Sequence, residues 1–450
     1  MSLIIPIGEV FMSNVTVDFT KEIGKIKVMH AVNNGPVVAG ADQTRGNQDY
    51  YRAARIPYAR THDASFYAGY GGEHTIDVRN IFTDFSADEN DSNNYDFACT
   101  DQYIKQIFTY GSKPFYRLGT KIEHEVKKYG SIMPPDFAKW ARICEHIIAH
   151  YTEGWADGFF YDIEYWEIWN EPDLDSDDSE NKRCWSGTEE DFARFYTVAS
   201  THLKSRFPHL KIGGPASAGD EAWMVRFFDR IKKDHPPIDF FSWHWYWTMP
   251  DDVSRKATKI RKILVDAGYK DAESILNEWN YVRGWTDEFV YSIQQIIGMK
   301  GAAFTSACMS ICQHNPDVDM LMYYDARPGT FNGLFDYYTM KPLKGYYPFY
   351  LFANLYELGT QAESFSDDES VYCVGAVGNG KRACMVTYYT ENDDEGAKKV
   401  SITLKGAVLD NLQLFILDEE NTMSKAIRYT VQGDTVSIRL ERNSILYIEA

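Results

Sequence analysis

The sequence predicts an α/β protein: a (β/α)8 barrel with an accessory antiparallel β-sandwich domain. Three observations lead there. Between about Ala31 and Ala353, short apolar strands alternate with amphipathic helices. Eight such repeats in roughly 320 residues fit the length of a barrel. After about Leu358 the texture changes to period-two segments separated by turns rich in Gly, Asp and Asn. The rival, a doubly wound sheet, would normally show a glycine-rich phosphate loop after an early strand, and the sequence has none.

Taken in order, the barrel strands are expected at Lys27–Ala31, Tyr58–His62, Pro114–Leu118, Tyr165–Trp169, Lys211–Gly213, Phe240–Tyr246, Ser274–Asn277 and Met320–Tyr323. Pro134-Pro135 opens a helix through Asp136–Tyr151. Thr188 caps the next helix, with Asp191 at the capping-box position, and that helix runs to Phe207. Asp220–Lys233, Asp252–Gly268 and Thr286–Gly301 fit further helices. The acidic stretch Asp173–Glu180 reads as a solvated loop. The C-terminal strands are expected at Val371–Val377, Arg382–Tyr389, Lys399–Leu404, Leu412–Leu417, Ala426–Val431 and Thr435–Leu440. Ser13–Phe19 also reads as strand and is expected to join that sheet, because a lone hairpin is not stable. The expected division is 1–28, N-terminal strands of the sandwich; 29–357, barrel; 358–450, sandwich.

Composition narrows the function. The chain has 450 residues, 44% hydrophobic and 25% charged, an ordinary globular balance. No run of about 18 apolar residues occurs, so no membrane span is expected. The formal net charge is −19, which repels phosphate backbones and anionic lipid, so neither nucleic acid nor a membrane surface is an expected partner. Aromatic residues make up 15%, enough both to pack cores and to stack on the C–H face of a sugar ring. The seven cysteines are odd in number and form no CxxC pair, a pattern of reduced thiols. The start, MSLIIPIGEV, lacks the basic region of a secretion signal. The expected location is cytoplasmic, with a leader trimmed from the sequence left open.

Five segments carry chemistry. In Glu164-Tyr-Trp-Glu-Ile-Trp-Asn-Glu-Pro-Asp173 an apolar strand ends at Asn170-Glu171-Pro172, because proline cannot donate to a ladder. Glu171 then stands at the carboxyl end of a barrel strand, where barrel active sites are built. In Ile275-Leu-Asn-Glu-Trp-Asn280 a second apolar strand ends in Glu278. The two glutamates are about three βα units apart at ~40 residues each, so they belong to the fourth and seventh strands, which face each other across the mouth. Two converging carboxylates meet the requirement for glycosidic bond cleavage: one protonated, to donate to the leaving oxygen, and one ionised, to attack the anomeric carbon. In Phe241-Ser-Trp-His-Trp-Tyr-Trp247, His244 and Tyr246 share one face and Trp243, Trp245 and Trp247 the other. The first pair reads as donors to Glu278 and to a sugar hydroxyl, or as part of a packed aromatic core. In Tyr58-Ala-Arg-Thr-His-Asp63, His62 reads as a hydroxyl ligand. Arg60 reads either as a cation beneath the carboxylates or as a buried structural ion pair. Near the last strand, Tyr324 and Asp325 are candidates to stack on the sugar and accept a hydroxyl, with Gly333-Leu334-Phe335 as the pocket floor.

Metal chemistry is weakly indicated. His146 and His150 are four apart, but Ile147 stands where the zincin pattern needs Glu, so they read as helix-surface histidines. Cys308 and Cys312 read as small core residues. No G-x-S-x-G nucleophile elbow is present.

In these residues the sequence resembles the clan A glycoside hydrolases, and family 39 within them. The resemblance rests on Asn170-Glu171-Pro172-Asp173-Leu174, on Asp239-Phe-Phe-Ser-Trp-His244-Trp-Tyr246 and on Leu276-Asn-Glu278-Trp-Asn280. Arg60-Thr-His62-Asp63, Lys113-Pro-Phe115 and Lys211-Ile-Gly-Gly-Pro215 follow in the family's order. It implies a barrel with a β-sandwich and hydrolysis with retention, without metal or organic cofactor. Glu171 then matches the general acid/base, Glu278 the nucleophile and Asn170 the amide that binds the 2-hydroxyl. His62, His244 and Tyr246 match substrate-binding positions. The implied partner is an oligosaccharide or glycoside, a β-xyloside or a relative. Arabinofuranosidase, β-galactosidase, uronidase, endo-glycanase and a non-catalytic carbohydrate-binding barrel stand as alternatives. Two departures touch the sugar's identity. The family's xylosidases carry His-Gly and an Asp pair where this chain has His62-Asp63-Ala-Ser-Phe66-Tyr67. They also carry a Trp and an acidic pair near the last strand, where Tyr324, Asp325 and Arg327 stand here. Arg327 is a candidate ligand for an acidic sugar. Trp185 is a candidate wall on the leaving-group side, and the bulky aromatics are compatible with a homo-oligomer that closes the pocket.

Overall fold

A computed structural model describes residues 12–39, 45–63 and 75–450. The expectations for residues 1–11 and for Ala64–Tyr67 lie outside the described residues. Eight parallel strands close into a barrel: Val28–Asn33, Tyr58–Arg60, Lys113–Leu118, Tyr165–Ile168, Lys211–Ser217, Phe240–Trp247, Glu273–Tyr281 and Met320–Tyr323. Period two decides what each strand puts inside. Ala31, Phe115, Tyr165, Phe240, Ile275, Met320 and Met322 form a buried apolar layer. Two residues further along their strands, Asn33, Glu167 and Asn277 are buried polar groups. The barrel therefore changes from apolar to polar toward the carboxyl ends of its strands, and the polar layer carries the candidate site.

The helices packed outside follow their sequence signals closely where caps are strong. Asp136 accepts from the Lys139 amide at 2.9 Å and opens Phe137–Thr152. Thr188 and Asp191 exchange the two bonds of a capping box at the start of Glu189–Arg206. The expected helix at Thr286–Gly301 is instead two helices, Phe289–Ile296 and Met299–His314, broken at Gly298 in an extended conformation. Met299–His314 packs on barrel strands on one side and on the C-terminal sheet on the other, so it is buried nearly all round. An amphipathic pattern cannot mark such a helix. Tyr346–Leu358, similarly enclosed, also carries little periodic signal.

The C-terminal part is one ten-stranded, curled sheet in the order 422–425, 413–417, 444–449, 381–388, 371–378, 360–366, 12–25, 398–405, 435–440, 429–432. Val15, Val17, Cys373, Val386, Val400, Ile402, Val436, Leu446 and others fill the space it encloses. Tyr372, Val374, Ala376 and Met385, on the alternate register, join the barrel's outer core instead. Strand Met12–Lys25 runs antiparallel to Thr360–Ser366 but parallel to Lys398–Lys405, so the expected wholly antiparallel pairing is corrected at one pair. The expected strand Ala426–Val431 is corrected too. Thr422–Lys425 and Tyr429–Gln432 are separate strands at opposite ends of the sheet order, with the chain crossing between them. All seven cysteines are free, and six are buried, Cys308 and Cys312 among them. Among the described residues no helix is long and apolar enough to cross a membrane.

Candidate active site

Arg60 organises the polar layer. It is fully buried, and a guanidinium there is tolerable only if its donors are met. Nε donates to Glu167 at 2.7 Å and Nη2 to Asn170 Oδ1 at 2.7 Å. Nη1 donates to Asn33 Oδ1 at 3.0 Å and to Glu278 at 3.2 Å. Asn277 donates to the other oxygen of Glu167. Both sequence readings of Arg60 thus hold at once: one guanidinium pairs with a structural carboxylate and lies against Glu278. Glu167 and Asn277 went unmarked in the sequence reading. The available signal was a polar residue two positions beyond an inward apolar one, Tyr165 and Ile275 respectively.

After Ile168 the fourth strand leaves the ladder by a strained turn. Trp169 and Glu171 have φ of 75° and 46°, in the left-handed region that non-glycine residues avoid. The Glu171 amide donates to the Ala216 carbonyl at 2.8 Å, which holds the turn against the next strand. The turn sends Asn170 to Arg60 and Glu171 toward the mouth. Trp169 packs edge-on against Trp185, and the Trp185 indole N–H donates to the Thr188 carbonyl. Trp185 is therefore buried in an aromatic core and does not wall the mouth. Asp173 is corrected as well. It faces inward, accepting from the Ser217 hydroxyl at 2.6 Å and the Ala218 amide at 2.7 Å, while Asp175 pairs with Arg183.

The sixth strand contributes as its alternation predicts. His244 Nδ1 lies 2.8 Å from Glu171 Oε1, and its Nε2 lies 3.5 Å from Glu278 Oε2. Tyr246 donates to Glu278 Oε1 at 2.6 Å. Trp243 turns outward to Ser274, and Trp245 and Trp247 stack on each other. One oxygen each of Glu171 and Glu278 and a ring nitrogen of His244 all lie within 4.8 Å of one another. Among the described residues this is the group that could also hold a metal ion.

Burial governs the charges. It pushes Glu171 and Glu278 each up to about 7, and it pushes His244 down to about 4, so the imidazole is neutral at pH 7. Of the two carboxyls only Glu278 accepts from a guanidinium and a phenol, both of which favour its ionised form. Those two contacts favour ionisation at Glu278 over Glu171. Cys184 Sγ, 4.0 Å from Glu171 Oε2, is a weak donor that disturbs this little.

A second wall adjoins this constellation. Tyr324 donates to Asp63 at 2.6 Å, and its ring stands 6.5 Å from that of Tyr246. Asn280 donates to the carbonyls of Tyr324 and Phe331 at 2.7 and 2.9 Å, fixing the loop after the eighth strand. Asp325 is buried, and its carboxylate accepts from the Arg327 backbone amide. Arg327 lies 3.5 Å from Asp325 and 3.8 Å from Asp63, so its charge is shared between two carboxylates. His62 is buried with Nε2 3.8 Å from Asp63, its ring 6.4 Å from Tyr324 and its Nδ1 unpartnered. Glu171, Glu278, Asn170, His244 and Tyr246 thus meet around Arg60, while His62, Tyr324 and Asp325 line the adjoining wall. Trp285 and Phe331, missed in the sequence reading, pack against Tyr246. His150 is buried rather than on the helix surface, while His146 is partly exposed. His146 stacks on Trp155, and His150 stacks on Phe97 and bonds Asp101 at 3.0 Å.

The family model for glycosyl hydrolases family 39 matches residues 37–282. A β-xylosidase of Caldicellulosiruptor saccharolyticus is 32% identical over 168 residues, an alignment covering 34% of this chain and 32% of the relative. This chain thus matches about a third of that relative's length. A glucosidase structure from Croceicoccus marinus superposes with a TM-score of 0.75 at 20% identity, covering 98% of this chain and 99% of that one. A monomeric β-xylosidase from Caulobacter crescentus CB15 gives 0.68 at 15% identity, covering 97% and 99%. Those two likenesses carry the fold, and the family match spans the strands that hold Arg60, Glu171, His244 and Glu278. The chain belongs to glycosyl hydrolases family 39.

Proposed function

We propose that this chain is a retaining glycosidase that removes terminal sugars, β-xylosides first among them, by a two-glutamate double displacement. The observation that carries the reading is the pair of opposed carboxylates, Glu278 buried and Glu171 partly so, with oxygens within 4.8 Å of each other. Retaining enzymes hold their carboxyl groups ~5–5.5 Å apart, whereas inverting ones leave roughly 6.5–9.5 Å for a water. Glu278 attacks the anomeric carbon as the glycosidic C–O bond breaks, and the Glu171 proton passes to the leaving oxygen. Water then attacks the same carbon, gives its proton to Glu171, and displaces Glu278. Neither step needs a metal or an organic cofactor.

The other residues take supporting roles. Asn170, oriented by Arg60, receives the 2-hydroxyl. His244 holds Glu171, and Tyr246 keeps Glu278 ionised. His62, Tyr324 and Asp325 shape the wall that meets the sugar. The choice of β-xyloside rests on the name of the curated relative. The reading assigns catalysis to residues 29–357 and treats 1–28 and 358–450 as the accessory β unit. Because Arg327 shares its charge with Asp63 and Asp325, the idea of an acidic sugar loses its support.

A panel of nitrophenyl glycosides of xylose, arabinose, galactose, glucose and the uronic acids tests the reading. Proton NMR of the first-formed sugar follows on any substrate turned over. Turnover with retention is expected. Inversion, or no turnover on any member, contradicts it.

A further inference from the structure

We propose that Glu391, on the accessory sheet, is a positioning residue for Glu278. The inference rests on the reading of Glu278 as nucleophile. It begins with the seventh barrel strand, Glu273–Tyr281. Its register slips against the sixth strand between Leu276 and Glu278, and against the eighth between Leu276 and Trp279. The ladder is thus irregular on both sides where Glu278 leaves it. Such irregularities re-aim side chains and interrupt pairing. A reactive carboxylate here needs an anchor beyond the break.

Glu391 is placed to be that anchor. Strand Lys381–Tyr388 of the accessory sheet leads directly into Tyr389, Thr390 and Glu391. The Tyr281 hydroxyl donates into the Glu391 carboxylate, 2.8 and 3.0 Å from its two oxygens. Arg283 Nε and Nη2 reach the same carboxylate at 2.9 and 2.5 Å. The Tyr389 hydroxyl lies 3.1 Å from Glu391 and also reaches the Thr248 carbonyl at the end of the sixth strand. Lys300 donates to the Glu391 carbonyl at 3.0 Å and pairs with Asp393 at 2.8 Å, which fastens the loop itself.

The anchored positions stand close to the chemistry along the chain. Tyr281 follows Glu278 by three residues on the same strand, and Thr248 lies two residues beyond Tyr246. The two strand ends are tied together, with Tyr281 opposite Trp247 and the Val282 amide donating to the Trp247 carbonyl at 3.0 Å. The Tyr281 ring is buried against Phe304, which also meets Tyr389. One carboxylate from the accessory sheet thereby fixes the ends of both strands that define Glu278. A displacement on the order of 1 Å in a reacting group costs up to ~10²-fold in rate, so the clamp bears on the chemical step. It also gives the accessory sheet a part in catalysis without any contact with the sugar.

The test compares Glu391→Gln, Tyr281→Phe and the double variant in the full chain, on the best-hydrolysed member of the glycoside panel, well below the melting temperature. Each single change is expected to lower kcat about tenfold with KM within about twofold, the pattern of lost alignment rather than lost binding. The double variant is expected to lose no more than the worse single, because both act through one contact. A lower melting temperature with unchanged kcat overturns the proposal and leaves Glu391 purely structural. Multiplying losses in the double variant overturn it too. If Glu391→Gln does not fold, Tyr281→Phe, which leaves the Arg283 pair in place, decides alone. If the unmodified protein hydrolyses no glycoside, the glycosidase reading itself fails, a result distinct from an active enzyme indifferent to Glu391.

Discussion

Arg60→Gln removes the cation beneath the carboxylates and gives the sharpest electrostatic prediction. In the structure its Nη1 stands 3.2 Å from Glu278. Coulomb's law with an effective dielectric of about 20 makes that proximity worth about 5 kcal/mol, or roughly 4 pKa units. Water entering the vacated space takes back part of this. We therefore expect the Glu278 carboxyl, already raised to about 7 by burial, to move up by at least ~2 units. The variant needs a higher pH before its nucleophile ionises. The ascending limb of the kcat/KM profile on a dinitrophenyl xyloside, which needs no proton from Glu171, should shift alkaline by that amount, with about 50-fold less activity at pH 7 and recovery as the pH rises. Glu167 loses its cation in the same variant, which costs about 3–5 kcal/mol of stability, so the rates belong at a temperature where melting curves show the variant folded. Arg60→Lys is the control: it restores charge without the fork that meets Glu167 and Asn170. An ascending limb that stays within half a unit of the parent's would refute the role of Arg60 in setting the nucleophile's charge.

Other outcomes follow from the same geometry. Glu171→Gln should lower kcat/KM on glycosides with poor leaving groups by about 10²–10⁴-fold and spare kcat/KM on those with a dinitrophenyl group, because only the former need a proton in the first step; equal kcat/KM losses on both contradict the acid role. Stability should respond to pH through the same carboxyl. The folded Glu171 pKa of about 7 lies above its ordinary 4.5, so the stabilising term is full below pH ~4.5 and is lost as pH rises through ~7. Glu171→Gln should therefore gain on the parent by up to about 3 kcal/mol between pH 5 and pH 8, read from melting temperatures, and a constant difference would contradict the burial argument. Because Arg327 is shared by Asp63 and Asp325, glucuronides should be hydrolysed no better than xylosides, a comparison of kcat/KM that a uronide preference would overturn. Thr188→Ala breaks the capping box of Glu189–Arg206 and should cost about 1 kcal/mol in denaturant melts with kcat unchanged.

Much of the molecule was legible because period and punctuation carried it. The eight barrel strands announce themselves through short apolar runs, and the caps at Asp136 and Thr188 mark their helices within a residue or two. What escaped shares one cause: tertiary enclosure erases local signal. Met299–His314 lies between barrel and sheet and shows no polar face. Glu167 sits in a strand whose other residues are apolar, and its charge makes sense only with Arg60 from another strand beside it. His150 looks like a surface residue until Phe97 is brought against it from a distant helix. At the candidate site, alternation brought His244 and Tyr246 to one face, but the left-handed φ values of Trp169 and Glu171 break alternation at the end of the fourth strand. The Pro172 signal located that turn without disclosing its geometry. Asn170 therefore reaches Arg60, and Glu171 reaches His244, by a turn that no strand pattern contains.

The central claim is that Glu278 carries the glycosyl group midway through the reaction. The most direct measurement traps that species with an activated 2-deoxy-2-fluoro-xyloside and reads the mass of the intact protein and of its peptides. We predict a gain of one fluoroxylosyl unit, located on the peptide at Glu278, with activity returning as the label is turned over. A label on Glu171, or steady turnover with inversion and no adduct, would contradict the account.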